Sequence, residues 1–392
     1  MKRSKLFLFL LLIPAASFAQ SVADVTNARV LSEASTGENW FLKGGNFRGE
    51  HYSPLDQVNE ETIDQLSLAW SMELPITDGT PTTPIVVDGV IYIGGAYSKV
   101  AAVDAENGEL LWVYEPDLSQ AFIDTPWLSW ISRANRGVAV WDGSVYLTTA
   151  DCRLIALDAA NGERRWEKQT CVVEDGYSIS DSPYVGGGKV FLGNAGSESQ
   201  ENSRGYITAY DAKTGDQVWR FYITPSHIPE ENDTPALKMA AETWSGDTLA
   251  TVGGGGHAWN EMTYDPVSNQ LFFGTSGNAR YAYDDRSPGG GDNLFLSSIV
   301  AINAETGEYN WHYQTVDKDS WDFNATMNII LAVLDIEGNM REAALIAPKN
   351  GFHYAVDRHT GELLTAGKFA KVNWATHINL ETGRPNYDLS LI

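Results

Sequence analysis

Two cysteines are the first residues whose type and spacing could do chemistry. Cys152 and Cys171 stand equidistant from Asn161-Gly162. A two-residue turn there would set them opposite one another on paired strands, where a disulfide can close. A longer turn would shift the register and leave two separate buried thiols. Read one at a time, the other reactive side chains stay ordinary. Glu198 is a loop carboxylate, Asn278 a turn residue beside Gly277, Asp322 a turn or cap aspartate, and Lys349 a surface lysine before Asn350-Gly351. Trp259, one of 13 tryptophans, reads as a core residue. Several chemistries are excluded. No Cys-x-x-Cys-His occurs, so covalent c-type haem is absent from this stretch. No Gly-x-Ser-x-Gly elbow occurs, and Gly253 to Gly256 is not a dinucleotide fingerprint.

The elements that must position these residues are announced by composition. Of the 392 residues 43% are hydrophobic and 20% charged, enough for a packed core. The formal net charge of −24 argues against nucleic acid or anionic lipid as a partner. It suits a basic protein or a neutral small substrate. Thirty-six Gly with 13 Trp and 17 Tyr fit a β-rich repeat protein. Lys2, Arg3 and Lys5 precede an apolar run, Leu6 to Ile13, and Ser17-Phe18-Ala19 ends it with small residues. This predicts a signal peptide over residues 1–19 and a mature chain of 20–392 in an oxidising, exported compartment. The run is too short to span a bilayer, and no later segment is long and apolar enough.

Self-similarity is the strongest internal signal. Ala102-Val103-Asp104-Ala105-Glu106-Asn107-Gly108 leads to Trp112, and the pattern recurs from Ala156 to Trp166, Ala209 to Trp219 and Ala301 to Trp311. A fifth copy, Ala355 to Leu364, lacks the Trp. Gly108, Gly162 and Gly215 are 54 and 53 residues apart, and Gly307 and Gly361 again 54. Each copy reads as a strand ending in Asp or Asn, a turn, and a strand carrying Trp. A second hairpin precedes each copy, as at Pro84 to Tyr92 around Asp88-Gly89. Two hairpins per period make a four-stranded sheet, and the Trp can dock one sheet on the next. That is a β-propeller blade. About five blades are visible, with a large insertion before the fourth. A chain that stops in mid-repeat leaves sheet edges exposed, so it reads as the N-terminal part of a longer one.

The repeats resemble the tryptophan-docking motif of the eight-bladed quinoprotein alcohol dehydrogenases, the methanol and ethanol dehydrogenase family that uses pyrroloquinoline quinone (PQQ) and a metal ion. The resemblance runs from Asn39-Trp40 to the C-terminus. It is carried by Asn135 to Val140, Arg204 to Asp211, Ser287 to Ser298, Asp319-Ser320-Trp321-Asp322 and Ala347 to Phe352. It implies an all-β propeller of the eight-bladed type and an exported, periplasmic oxidoreductase. An alcohol would give hydride to PQQ, a carboxylate would take the hydroxyl proton, and a cation held by oxygen ligands would act as Lewis acid. Electrons would pass to a cytochrome c or similar acceptor.

The resemblance also implies roles, position by position. Asp322 matches the catalytic base and a metal ligand. Glu198 and Asn278 match the other metal ligands, with Glu201 as the alternative to Glu198. Gly196, Ser197 and Glu198 match a cofactor-binding stretch. Trp259 matches the floor under the quinone, Arg136 a partner for a cofactor carboxylate, Ser180 a cofactor-binding hydroxyl, and Lys349 the cation beside the quinone. Three positions depart from the pattern. Trp130-Ile131 replaces a pair of adjacent cysteines, so an apolar lid is expected there. Pro81 stands where a glutamate is frequent. Asn324 stands where lanthanide-using members have a second Asp, and one anion fewer favours Ca²⁺. Two other readings remain: a cofactor-free propeller that binds proteins, as in outer-membrane assembly lipoproteins, or a truncated, inactive relative.

Overall fold

The computed structural model describes residues 22–76, 78–79, 82–196 and 203–388. The predicted leader 1–19, Pro81, Ser197, Glu198 and Glu201 lie outside the described residues. Five four-stranded antiparallel sheets follow one another along the chain. The first is β1 (Ile85–Val87), β2 (Val90–Gly94), β3 (Val100–Asp104) and β4 (Leu110–Tyr114). The second is β5 (Ala139–Trp141), β6 (Ser144–Thr148), β7 (Arg153–Asp158) and β8 (Arg164–Gln169). The third is β9 (Tyr184–Gly186), β10 (Lys189–Leu192), β11 (Tyr206–Asp211) and β12 (Gln217–Tyr222). The fourth is β13 (Met262–Asp265), β14 (Gln270–Gly274), β15 (Ser298–Asn303) and β16 (Tyr309–Gln314). The fifth is β17 (Ile330–Ile336), β18 (Asn339–Ile346), β19 (Phe352–Asp357) and β20 (Leu363–Lys368). A two-stranded sheet, β21 (Ala375–Ile378) with β22 (Pro385–Tyr387), follows. Within each blade the strands pair in chain order, as two hairpins per period require. The first strands β5, β9 and β13 pack in sequence, so they form the inner wall.

The repeated motif explains how blades are joined. The Asp or Asn that ends each third strand accepts backbone N–H groups from its own turn; Asp104 Oδ1 takes those of Glu106 and Asn107 at 2.8 and 3.2 Å. Such side-chain caps are what Asx turns supply. The turn glycines are left-handed, with φ of 76° at Gly108, 74° at Gly162 and 73° at Gly307. Each also meets a tryptophan. A Cβ on Gly307 would lie 2.7 Å from the Trp219 ring, one on Gly162 2.7 Å from Trp112, and one on Gly361 2.6 Å from Trp311. The same indoles donate Nε1–H to the next blade: Trp112 to Ala159 O at 3.0 Å, Trp219 to Ala304 O at 3.1 Å, and Trp311 to Arg358 O at 3.0 Å. Trp70, outside the repeated pattern, docks on Gly108 in the same way and donates to Ala105 O at 3.1 Å.

Of the two turns open between β7 and β8, the structure has the wider one. Asp158 and Glu163 close it, and a bulge between Ala156 and Leu157 shifts the register. Every other blade has the same shift at the same place. Thr170, not Cys171, therefore bonds to Cys152 O. The cysteines are offset by one position, and at the frayed ends of β7 and β8 a disulfide joins them with Cα atoms 5.2 Å apart.

Antiparallel order has one consequence for function. The turns inside both hairpins of a blade leave on one face, where Ala105 N–H bonds to Gly89 O and Ala159 N–H to Gly143 O. The connections after each second and fourth strand leave on the opposite face. Arg136, Ser180, Gly196, Trp259, Asn278, Asp322 and Lys349 all lie in those connections. One helix also underpins the fold: Asn27–Glu33, capped by Thr26. Among the described residues, no helix is long and apolar enough to cross a membrane.

Candidate active site

Two groups of side chains meet on that face. In the first, Arg136 Nη1 donates to Ser180 Oγ at 2.8 Å and to Ser180 O at 3.0 Å. Its guanidinium carbon lies 5.1 Å from the centre of the Trp259 ring, a cation–π arrangement. Ser180 is buried and Trp259 half-buried. The connection after β4 thus holds the connection after β8 and lays its charge against the one after β12. Trp259 ends a glycine-rich stretch that only glycine can make. Gly255 and Gly256 are left-handed, and a Cβ on Gly255 would lie 2.7 Å from Gly277 O. Gly205 and Gly256 N–H groups bond to Gly255 O and Gly277 O, so this stretch threads between the connections after β10 and β14.

The second group is built on Asp319. Its buried carboxylate accepts Trp321 N–H and Phe323 N–H on Oδ1, and Asn324 N–H and Ser297 Oγ–H on Oδ2. Four donors fold residues 319–324 into a tight loop that presents Asp322. Asp322 and Asn324 have φ of 58° and 57°, a conformation uncommon outside glycine and concentrated at functional positions. Asn324 Nδ2 donates to Asp322 Oδ1 at 2.8 Å, and Asn324 Oδ1 accepts Gly277 N–H at 2.6 Å. Lys349 Nζ lies 3.2 Å from Asp322 Oδ2. Asn278, next to Gly277, is buried; its Nδ2 donates to Gly253 O at 2.8 Å and its Oδ1 accepts Arg280 N–H at 2.8 Å. Asn278 and Asp322 are therefore joined through Gly277 and Asn324.

His257, Asn194 and Asp319 had no role in the sequence reading. His257 is fully buried between Asn194 Oδ1 at 2.7 Å and Ser203 Oγ at 3.1 Å. Burial pushes its pKa down to about 3, so the ring is neutral. A Cβ on Gly196 would lie 2.9 Å from its ring, so Gly196 is seated on the histidine. The signal that could have found Asp319 is the Asp-Ser-Trp start of an Asx turn. Trp130, at the end of the short helix Leu128–Ile131, is 72% exposed. Ser197 and Glu198 are outside the described residues; of the rest, the structure brings Arg136, Ser180 and Trp259 into one group and Asn278, Asp322 and Lys349 into another, with Gly196 against His257.

A tryptophan-docked propeller with its polar residues gathered on one face defines a class. The chain belongs to the PQQ-binding glucose/ethanol/alcohol dehydrogenase β-propeller family, which matches residues 40–374. The quinohemoprotein alcohol dehydrogenase ADH IIB of Pseudomonas putida is 44% identical over 383 residues, 98% of this chain and 54% of that protein. The crystal structure of the quinohemoprotein alcohol dehydrogenase from Comamonas testosteroni aligns with a TM-score of 0.88 and 38% identity, over 94% of this chain and 55% of that one. A europium-containing methanol dehydrogenase aligns with a TM-score of 0.82 and 30% identity, over 92% and 63%. The chain spans about half the length of the curated relatives it matches.

The donors present fit a flat polyanion and a hard cation. Among the described residues, only Nη1 of the Arg136 guanidinium is engaged, which leaves its fork for a carboxylate. Trp259 offers an aromatic face. Asn278 Oδ1 keeps one lone pair, and the Asp322 carboxylate is half-exposed. Amide and carboxylate oxygens are the ligands that Ca²⁺ and its hard relatives take. Among the described residues, no cluster of three or more His, Cys, Asp or Glu could hold a metal.

Proposed function

We propose that this chain forms the propeller of an exported, periplasmic alcohol dehydrogenase dependent on PQQ and Ca²⁺. The observation that carries the reading is the placement of Asp322. It is held in a left-handed conformation by Asn324, faces Lys349, and is linked through Gly277 to Asn278. PQQ, when bound, supplies a two-electron acceptor, and the cation polarises it. Arg136 and Ser180 would bind the acidic rim of the cofactor, and Trp259 would support its plane. Asn278, Glu198 and Asp322 would supply oxygen ligands to the ion, with Gly196 and Ser197 lining the cofactor.

Asp322 takes the alcohol proton on its carboxylate, where Oδ1 accepts from Asn324 and Oδ2 from Lys349 and each oxygen keeps a further lone pair. Lys349 places positive charge where negative charge develops. Asn324 supports Ca²⁺ over a lanthanide by charge count, because its amide is neutral and adds no anion beside Asp322. The acidic surface suits a basic cytochrome c as electron acceptor.

Reconstitution of the full-length protein with PQQ and Ca²⁺ tests the reading, with dye reduction followed over a panel of small alcohols. Stoichiometric PQQ uptake with alcohol-dependent reduction supports it. A protein that takes up no PQQ overturns it.

A further inference from the structure

We infer that Lys43 is a positioning residue for the cofactor-binding wall, tying together the loops that carry Ser180 and Trp259. The inference rests on the functional reading above and concerns a residue outside that set. Lys43 lies in a tight turn, Leu42 to Gly45, closed by Gly45 N–H to Leu42 O at 2.7 Å and braced by Trp40 Nε1–H to Lys43 O at 3.2 Å. The segment around it straps the inner strands. Trp40 pairs with Val86 beside β1, Leu331 N–H of β17 bonds to Arg48 O, and His51 Nε2 lies 3.4 Å from Glu261 Oε1 beside β13. Lys43 therefore comes at the site from the hub, independently of the loops that form it.

Its ammonium reaches two neighbours. Nζ lies 3.6 Å from Asp181 Oδ1 and 3.4 Å from Asn260 Oδ1. Asp181 follows Ser180, and Asn260 follows Trp259. Asn260 also donates Nδ2–H to Thr326 O at 2.8 Å, in the same connection as Asp322. One lysine thus contacts two connections directly, those that carry Ser180 and Trp259, and reaches the connection of Asp322 through Asn260. Asp181 is fully buried, and burial holds its carboxyl above the usual range, with Glu261 adding to the effect. Lys43 and Arg136 are the positive charges that oppose this. Stripped of Lys43, a buried carboxylate loses a counter-charge, so either the backbone on both sides of it moves or the carboxylate takes up a proton.

The test uses the full-length protein with three readouts: hydrogen–deuterium exchange and Tm of the cofactor-free protein, and PQQ affinity by equilibrium dialysis with Ca²⁺. Lys43→Met is expected to speed exchange about tenfold in residues 178–182 and 257–261, and to weaken PQQ binding by about tenfold. Lys43→Arg should restore both. The pair Lys43→Met with Asp181→Asn removes the unpaired charge and should recover Tm, while exchange at 257–261 stays fast because the tie to Asn260 is still missing. If Lys43→Met does not fold, the double variant answers the same exchange question. Exchange within twofold of the parent in both segments overturns the inference. Failure of the parent to take up PQQ overturns the functional reading instead, and the exchange data still judge the brace.

Discussion

Lys349 Nζ and Asp322 Oδ2 stand 3.2 Å apart, bridging the connections after β16 and β18. Both side chains are close to half exposed, so this pair contributes only about 0–1 kcal/mol to stability. Its geometry is a feature of the site rather than of the core. Asp322→Asn is expected to lower turnover by about 10²- to 10⁴-fold, the range of a lost general base. Lys349→Met should lower kcat as well, with Tm nearly unchanged for both. Alcohol-dependent dye reduction and thermal melting check this together. Normal turnover in Asp322→Asn would move the base elsewhere.

The docking contacts predict a contrast between two left-handed glycines. Gly338 has φ of 83° but open space around it, so Gly338→Ala should cost only about 1 kcal/mol of backbone strain. Gly307 has φ of 73° and would press a Cβ against Trp219 at 2.7 Å. Gly307→Ala should therefore cost about 1–3 kcal/mol more, as overpacking does. Urea unfolding of the two variants measures the difference. Equal losses would mean that the tryptophan is not seated on the turn.

How much of this was legible follows from what repeats. The Asp, Gly and Trp of each copy recur at fixed spacing, so the blades and their docking could be read from the chain. Trp70 escaped notice because its segment lacks the Asp and Gly that flag the other tryptophans. The turn after Asp158 stayed open in the sequence because Asn161-Gly162 can make a two-residue turn, whereas the Asp158 side chain caps a longer one. The approach of Arg136 to Trp259 has no local signature at all; only the family resemblance pointed to it. Lys43 was invisible for a related reason, since one lysine in a glycine-rich turn carries no pattern until the fold places it beside Asp181.

The disulfide predicts a stability loss confined to oxidised protein. Cys152 and Cys171 are 19 residues apart, and closing a loop of that size is worth about 3 kcal/mol. Cys152→Ser with Cys171→Ser should lower unfolding stability by about that amount and remove the effect of reductant on Tm. A double variant as stable as the oxidised parent would count against the bond.

Two buried histidines predict acid sensitivity. Burial lowers His257 to about 3 and His312 to about 4, from an ordinary value of 6.5. Between those values the unfolded chain binds protons that the folded one refuses. The stability linked to the neutral rings is complete above pH 6.5 and is lost as pH falls toward 3 for His257 and toward 4 for His312, by up to about 1.4 kcal/mol per pH unit for each. His257→Gln removes one titration, so its Tm should fall less steeply than the parent's between pH 6 and pH 4. Parallel Tm curves would show that His257 is not buried and neutral.

Asn324 offers the sharpest test of metal choice. Its amide accepts from Gly277 and donates to Asp322, and it brings no negative charge to an ion beside Asp322. Asn324→Asp can still accept Gly277 N–H, but the donation to Asp322 is replaced by repulsion between two carboxylates. A trivalent ion relieves that repulsion better than a divalent one, because its charge is larger at a similar distance. The variant should therefore shift its preference from Ca²⁺ toward La³⁺, read as the ratio of the two half-saturating concentrations in PQQ reconstitution. An unchanged ratio would mean that residue 324 does not face the ion, and that the amide is there only to hold the Asp322 loop.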